Sequence, residues 1–211
     1  MEDRISAGVY CEFSDLFPIA YRQERSPTVL ARPGVHEARM WVNTAPQRDD
    51  LPRRLPEAGL LATFEVDAEF RPPSVVDGVR GHHFVRTPRP GQGRLTGRPT
   101  LGLLIVMISP NDPDAAQELR DWGDFVHLRH IAATGVPGYT MMTPYESARH
   151  DEPRFLHLYE MDTSDPEAAY ATMTPLVADR LGGPDSDRFR EWAWHPQLRI
   201  EYVNTFALVE G

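Results

Sequence analysis

Cysteine, long apolar runs and basic residues are all scarce in this chain of 211 residues. Cys11 is the only cysteine, which excludes an intramolecular disulfide and a thiolate-rich metal site. No apolar run approaches the roughly 18 residues of a membrane span, and the start MEDRISAGVYCEF lacks the basic and apolar regions of a secretory signal. We therefore expect no membrane association and a location in the reducing cytoplasm.

The charge balance of the chain is acidic. There are 22 Lys and Arg against 31 Asp and Glu, a formal net charge of -9, so we expect no nucleic-acid partner because phosphates would be repelled. Several arginines between Arg86 and Arg98 lie in a stretch rich in Pro and Gly, without the interleaved aromatics of a nucleic-acid site. We interpret that stretch as a solvated linker.

The second half of the sequence alternates strand and helix signals. An apolar run at 101–109 has strand length, and Asp112-Pro113 is typical of a helix start, with Gly135 as its stop. Extended segments follow at 139–144 and 155–161. A second helix runs from about Asp165 to Gly182, and a last strand covers 198–209. The order strand, helix, strand, strand, helix, strand is that of a ferredoxin-like unit.

The first half follows the same order less completely. Strand 7–13 and helix 15–30 precede the extended segment HEARMWVN, and LLATFEVD at 60–67 parallels FLHLYEMD at 155–162. A proline-broken stretch stands where the second helix is expected, and HHFVR at 82–86 is the best final strand.

These patterns predict an α+β chain of two ferredoxin-like βαββαβ repeats. Their bounds are 1–86, a degenerate first copy, and 101–211, the second copy, with a linker at 87–100. Each sheet would leave one face uncovered, so two copies are expected to close into one pseudo-symmetric α/β barrel around a lumen that holds a small ligand. A barrel closed within one chain fits a monomer or a homodimer.

The segment DWGDFVHLRHIAATGVPGYTMMTPYE, at 121–146, resembles a motif of the dimeric α/β-barrel superfamily, in particular of its EthD-like proteins. Trp122 and His127 stand at the separation of the Trp and His in their Trp-Tyr-x-x-x-His helix end. The turn at 136–139 resembles their Val-Pro-Gly-Phe turn. Gly123 in place of Tyr and Val126 in place of an acidic residue depart from the pattern.

That superfamily includes cofactor-free cyclases and monooxygenases, isomerases, aldoxime dehydratases, haem enzymes and plain binding proteins. The resemblance therefore implies a small-molecule site and does not select one reaction. Because the corresponding helix of the first half has neither the Trp nor the His, any chemistry is expected in the second half.

Candidate catalytic residues lie on the strand at 155–161 and on the helix before it. Side chains alternate along a strand, and the aliphatic pair Leu156 and Leu158 suits a helix-covered face, so His157 and Tyr159 are predicted to face the lumen. An imidazole with a pKa near 6.5 suits a general base, and a phenol suits an acid or oxyanion donor. His127 or His130 is expected to reach in from the helix end.

We predict a cofactor-independent lyase, cyclase or isomerase that acts on a small hydrophobic, aromatic or polyketide-like molecule through His127, His130, His157 and Tyr159. The three histidines could in principle bind a metal, but no carboxylate or second His pair stands at a recognised ligand spacing, so none is predicted. A monooxygenase or haem enzyme of the same fold and a non-catalytic small-molecule-binding protein remain as alternatives.

Overall fold

Strands and helices alternate as expected in the computed structural model, which describes residues 6–74 and 76–209. The outer ends of the predicted repeats, at 1–5 and 210–211, lie outside the described residues. The strands are β1 (Gly8–Ser14), β2 (Val35–Asn43), β3 (Leu60–Val66), β4 (Val79–Arg86), β5 (Gln92–Gly93), β6 (Gly102–Pro110), β7 (Tyr139–Ser147), β8 (Phe155–Met161) and β9 (Leu198–Leu208).

The first helix of each repeat contains a π-helical segment. In the first repeat, α1 (Pro18–Ala20) and α2 (Ser26–Leu30) flank the π-helical residues Tyr21–Arg25. In the second repeat, a 3-10 turn (Pro113–Ala115) and α3 (Ala116–Trp122) precede the π-helical residues Gly123–His127, and α4 (Leu128–Thr134) follows them. The second repeat also has α5 (Pro166–Leu181) and α6 (Asp187–Ala193) before β9.

Side-chain caps and left-handed glycines set the ends of the helices in the second repeat. The carboxylate of Asp165 accepts a hydrogen bond from the backbone N–H of Ala168, and Pro166 follows at the first helical position. Gly135 and Gly182 end α4 and α5 with φ of 69° and 100°, a conformation that only glycine adopts without strain. Among the described residues, no helix is long and apolar enough to cross a membrane.

The strands close into a pseudo-symmetric barrel. The first repeat has the strand order β4-β1-β3-β2 and the second has β9-β6-β8-β7, which is the same order for the corresponding strands. Antiparallel pairs β2–β9 and β4–β7 join the two sheets at both edges, and short β5 pairs with β7. The predicted fold class is therefore confirmed. Turns replace the second helix of the first repeat in the described parts of 67–78.

Side chains fill the middle of the barrel, and a cavity of about 90 Å³, lined by Trp41, Leu158 and Glu160 among others, remains at one end. The expected ligand-holding lumen is reduced to this small space. Eight strands leave an interior just wide enough for packed side chains. Large residues from both repeats meet there, including Phe13, Trp41, Phe84, Tyr202 and Phe206.

The predicted orientation of β8 is wrong. Leu156 packs in the barrel interior with Leu158 beside it, while Tyr159 packs beneath the helices with Leu128 and Met173. His157, which alternates with Leu156, shares the face of Tyr159. The alternation was predicted correctly, but both faces of this strand are buried, and the narrow interior takes the aliphatic side chains.

Candidate active site

A cavity of about 190 Å³ lies between the outer face of the second repeat's sheet and its helices. Its polar groups include the side chains of His127, His157 and Tyr159, with Tyr170 and Thr174 at the helices, and most of the remaining wall is apolar. The strands supply Leu104, Val106, Ile108, Leu198, Ile200 and Val203, and the helices supply Trp122, Met173 and Trp192. An apolar cavity with a few converging polar groups is the usual form of a small-molecule site.

His157 lines this cavity, and its ring lies beside the buried carboxylate of Asp124. Its Nε2 lies 3.4 Å from Oδ1 of Asp124, and both side chains are only 4% exposed. The other carboxylate oxygen of Asp124 accepts a hydrogen bond of 3.1 Å from Nη1 of Arg89. Oδ1 has no hydrogen-bond partner within the described chain, so its charge is directed at the imidazole.

Gly123 gives His157 the space to reach this position. A Cβ atom on Gly123 would lie 2.8 Å from Cε1 of His157, closer than packed carbon atoms approach each other. A large side chain at this position would occupy the volume of the imidazole.

His127 is held in one tautomer by Trp192. Its Nδ1 lies 3.0 Å from the carbonyl oxygen of Trp192, while Nε1 of Trp192 donates to the carbonyl of His127, and the two rings stack at 4.9 Å and 5°. A carbonyl only accepts, so Nδ1 carries the hydrogen and Nε2 keeps its lone pair. Burial lowers the pKa of His127 to about 4, which leaves the ring neutral at neutral pH.

Tyr159 supplies a hydroxyl that stays protonated. Burial raises the pKa of Tyr159 far above its usual value of 10.0, and Tyr170 raises it further. The side chain of Tyr159 is buried and lines the cavity, where its hydroxyl can donate a hydrogen bond to a ligand.

His130 does not line the cavity, although His127, His157 and Tyr159 do. Burial lowers the pKa of His130, and the nearby Arg188 and Arg180 lower it further. The described residues contain no group of three or more His, Cys, Asp or Glu that could hold a metal. A metal site made from His127, His130 and His157 is therefore not formed.

Asp124 and Arg89 were not predicted from the sequence. The predicted helix contained Asp124, but its contact with His157 joins a helix to a strand and leaves no spacing signal in the sequence. Arg89 belongs to the stretch interpreted as a solvated linker. That interpretation is wrong for this residue, because its side chain is 16% exposed, pairs with Asp121 and Asp124, and lies over the ring of Phe125.

The first repeat supplies part of the cavity's cover. Leu51, in the connection between β2 and β3, lines the cavity beside Tyr170. Arg48 of the same connection is buried, donates to Oδ1 of Asn204 at 3.2 Å, pairs with Glu167, and lies over the ring of Tyr170 at 4.2 Å. This connection therefore fixes one side of the site to the second repeat.

The cavity does not fit a haem. A volume of about 190 Å³ is below the range of roughly 300–1,000 Å³ for pockets that hold drug-sized ligands, and a porphyrin is at least that large. Trp122 and Trp192 also pack against the ring of His127, with centroid distances of 5.1 and 4.9 Å.

Solved structures share the fold across almost the whole chain. An anthrone oxidase-like protein has a TM-score of 0.56 and 15% identity, covering 98% of this chain and 94% of its own. A mutant chlorite dismutase from Candidatus Nitrospira defluvii has a TM-score of 0.51 and 8% identity, with 98% and 93% covered. A major regulator of staphylococcal pathogenesis has a TM-score of 0.52 and 11% identity, with 96% and 99% covered.

Identities this low show a common fold alone, an α/β barrel built from two ferredoxin-like sheets. No protein-family model matches the sequence, and no curated protein matches it either.

Proposed function

We propose that this protein is an enzyme that removes a proton from a small, largely apolar, aromatic molecule, with His157 as the base. The observation that carries the proposal is the contact between His157 and the buried carboxylate of Asp124 at the wall of an apolar cavity. A carboxylate beside an imidazole stabilises the imidazolium that forms when the ring accepts a proton. An apolar wall strengthens that interaction because water does not screen it.

The other two polar groups suit the binding of the substrate and of its anion. Nε2 of His127 accepts a hydrogen bond from a substrate hydroxyl, because its lone pair is free and the ring is neutral. The Tyr159 hydroxyl donates to the oxygen on which negative charge develops. Isomerisation, cyclisation or elimination can follow proton removal without a cofactor, and the EthD-like motif around His127 supports such a reaction class.

A second candidate is cofactor-free oxygenation at the same site. The likeness in fold to an anthrone oxidase-like protein favours it. A carbanion formed by His157 at a CH₂ group would react with dioxygen. One oxygen atom would enter the substrate as a ketone, and the other would leave as water with both hydrogens of that CH₂ group. The proton-removal step is common to both candidates.

Deuterium exchange tests that common step. Anthrone and the smaller 2-tetralone carry activated C–H groups, and the rate of their exchange in D₂O can be followed by NMR under argon. We expect the protein to accelerate exchange, and we expect His157→Gln and Asp124→Asn to lower the acceleration by about a hundredfold or more. Oxygen uptake after admission of air then separates oxygenation from the redox-neutral reactions.

Asp121→Asn is the matched control, because Asp121 pairs with the same Arg89 but lies outside the cavity and is half exposed. It should exchange at the wild-type rate. Exchange that is unchanged in the His157 and Asp124 variants would contradict the assignment of the base. Saturable binding of both probes without any acceleration would contradict the enzymatic proposal and favour a binding protein.

A further inference from the structure

A second cavity, of about 120 Å³, occupies the first repeat at the place related to the candidate active site. The candidate active site lies between β6, β9 and the first helix of its repeat, and this cavity lies between β1, β4 and the corresponding helix. Tyr10 and Glu12 of β1, His83 of β4 and Arg25 of the helix line it. Arg149, in the connection between β7 and β8, completes its edge.

Glu12, one of two carboxylates that line this cavity, is already neutralised and saturated within the described residues. Arg25 donates to both oxygens of Glu12, at 3.2 and 3.0 Å from Nε, and the hydroxyls of Tyr10 and Tyr21 donate at 2.8 and 2.7 Å. The side chains of Arg25 and Glu12 are 7% and 0% exposed. Glu12 therefore has little capacity left to bind or repel a ligand.

His83 lines this cavity with an unsatisfied group. Its Nε2 is buried and has no hydrogen-bond partner among the described residues, which costs free energy unless a ligand or water pairs with it. Burial lowers the pKa of His83, and the nearby Arg71 and Arg149 lower it further. The surroundings of this imidazole are thus positive and suited to an anion.

Arg149 is an exposed cation at the edge of the cavity. Its guanidinium forms no ion pair within the described part of the chain, whereas the neighbouring Asp151 accepts a hydrogen bond from the hydroxyl of Ser147. Asp151 also lines the cavity, where its charge acts on His82, whereas the positive charges of Arg149 and Arg71 act on His83.

We propose that the first-repeat cavity is a binding site for a small anion, a phosphate or a short carboxylate, held by Nε2–H of His83 and by Arg149. The volume of about 120 Å³ limits the ligand to a few heavy atoms. Charge-assisted hydrogen bonds from an imidazole and a guanidinium are strong when they replace an unsatisfied buried group. Arg149 lies in the connection between β7 and β8, so an anion bound here also restrains the connection that leads to His157.

Titration calorimetry with inorganic phosphate and with acetate tests this site. We expect saturable binding of one or both anions to the wild-type protein, and the two titrations separate a phosphate site from a carboxylate site. Arg149→Gln and His83→Gln should weaken the binding by about tenfold or more, because each removes a charge-assisted hydrogen bond. Arg22→Gln removes one positive charge from an exposed position on the helix of the same repeat and should bind like the wild type.

An independent readout is the ring resonance of His83 in a pH titration, where a bound anion should raise the pKa of His83. Arg149 is exposed, so its variant is expected to fold even if His83→Gln does not. No heat and no change in the His83 resonance with either anion would overturn the proposal. Equal affinities in wild type, Arg149→Gln and Arg22→Gln would also overturn it. Neither result depends on whether the second repeat is an enzyme.

Discussion

The two repeats have the same strand order but place different groups beneath their first helices. In the first repeat, Glu12 on β1 lies opposite Ala62 on β3. At the corresponding register in the second repeat, Val106 on β6 lies opposite His157 on β8. The first repeat thus has its ionisable group on the first strand, where it is neutralised, and the second has its ionisable group on the third strand, where it meets a cavity.

The two π-helical segments also differ in the residue that they place against the sheet. The first begins at Tyr21, whose hydroxyl donates to Glu12, and the second begins at Gly123, which leaves space for His157. π-helical turns often occur at functional sites because they redirect a few side chains within a helix. One backbone plan therefore gives a buried ion pair beside a small cavity in the first repeat, and a histidine and carboxylate beside a larger, mostly apolar cavity in the second.

The largest expected effect concerns the stability of the first repeat. Glu12→Gln leaves the buried guanidinium of Arg25 without its counter-charge, and we expect the free energy of unfolding to fall by about 3–5 kcal/mol. Urea unfolding measures this loss. Glu37→Gln, in the exposed pair with Arg39, should cost less than about 1 kcal/mol. If both variants lost the same free energy of unfolding, the buried pair would contribute no more to stability than the exposed pair.

A double variant, Glu12→Val with Arg25→Met, makes this position of the first repeat resemble Val106 of the second. Removing both charges together leaves no buried ion unpaired. We expect it to recover only part of the stability that Glu12→Gln loses, because the buried hydroxyls of Tyr10 and Tyr21 also lose their acceptor. A double variant as unstable as Glu12→Gln would contradict the ion-pair account.

Gly123→Ala tests the space reserved for His157. The added Cβ would lie 2.8 Å from the imidazole, and such overpacking costs about 1–3 kcal/mol, offset by up to about 1 kcal/mol of helix propensity. Proton exchange should fall because His157 is displaced. Gly59→Ala, where a Cβ would have no neighbour within 4 Å, is the control. Unchanged exchange in Gly123→Ala would show that the glycine does not position the histidine.

The lowered pKa of His127 predicts that replacing this residue changes how the stability of the protein depends on pH. Its pKa is lowered from 6.5 to about 4 in the folded protein, so the unfolded chain binds more protons between these values. Above pH 6.5 the neutral ring makes its full contribution to the free energy of unfolding, and this contribution is lost as the pH falls toward 4. His127→Phe keeps a ring against Trp192 but cannot titrate, so its stability relative to wild type should rise on acidification. A constant difference across this window would contradict the assignment.

Leu51→Ala is expected to have the smallest effect. Leu51 is half-buried at the cavity, so its removal should weaken the binding of phenol by a few-fold, a cost of about 1 kcal/mol. Fluorescence titration of Trp122 and Trp192 measures the affinity. Leu55→Ala removes the same atoms from the same connection but packs against the barrel interior, so its affinity should not change. Equal weakening would show that the connection acts only through its overall stability.

The order of elements could be predicted because helix starts and apolar runs are local signals. β8 has the same bounds as its predicted strand, Phe155–Met161, and α5 begins at Pro166 after the predicted cap at Asp165. The face of β8 could not be predicted, since alternation does not tell which of two buried faces is the interior. Asp124 was missed because its partner lies on another element, and Arg89 because a linker composition does not reveal an ion pair.

Methyl-resolved NMR during a titration with phenol tests directly where the ligand binds. We expect saturable shifts for the methyl groups of Met173 and Val203, which line the second-repeat cavity, and none for Leu61 and Ile105, which fill the barrel interior. Shifts confined to Leu61 and Ile105 would place the site in the barrel interior and contradict this account.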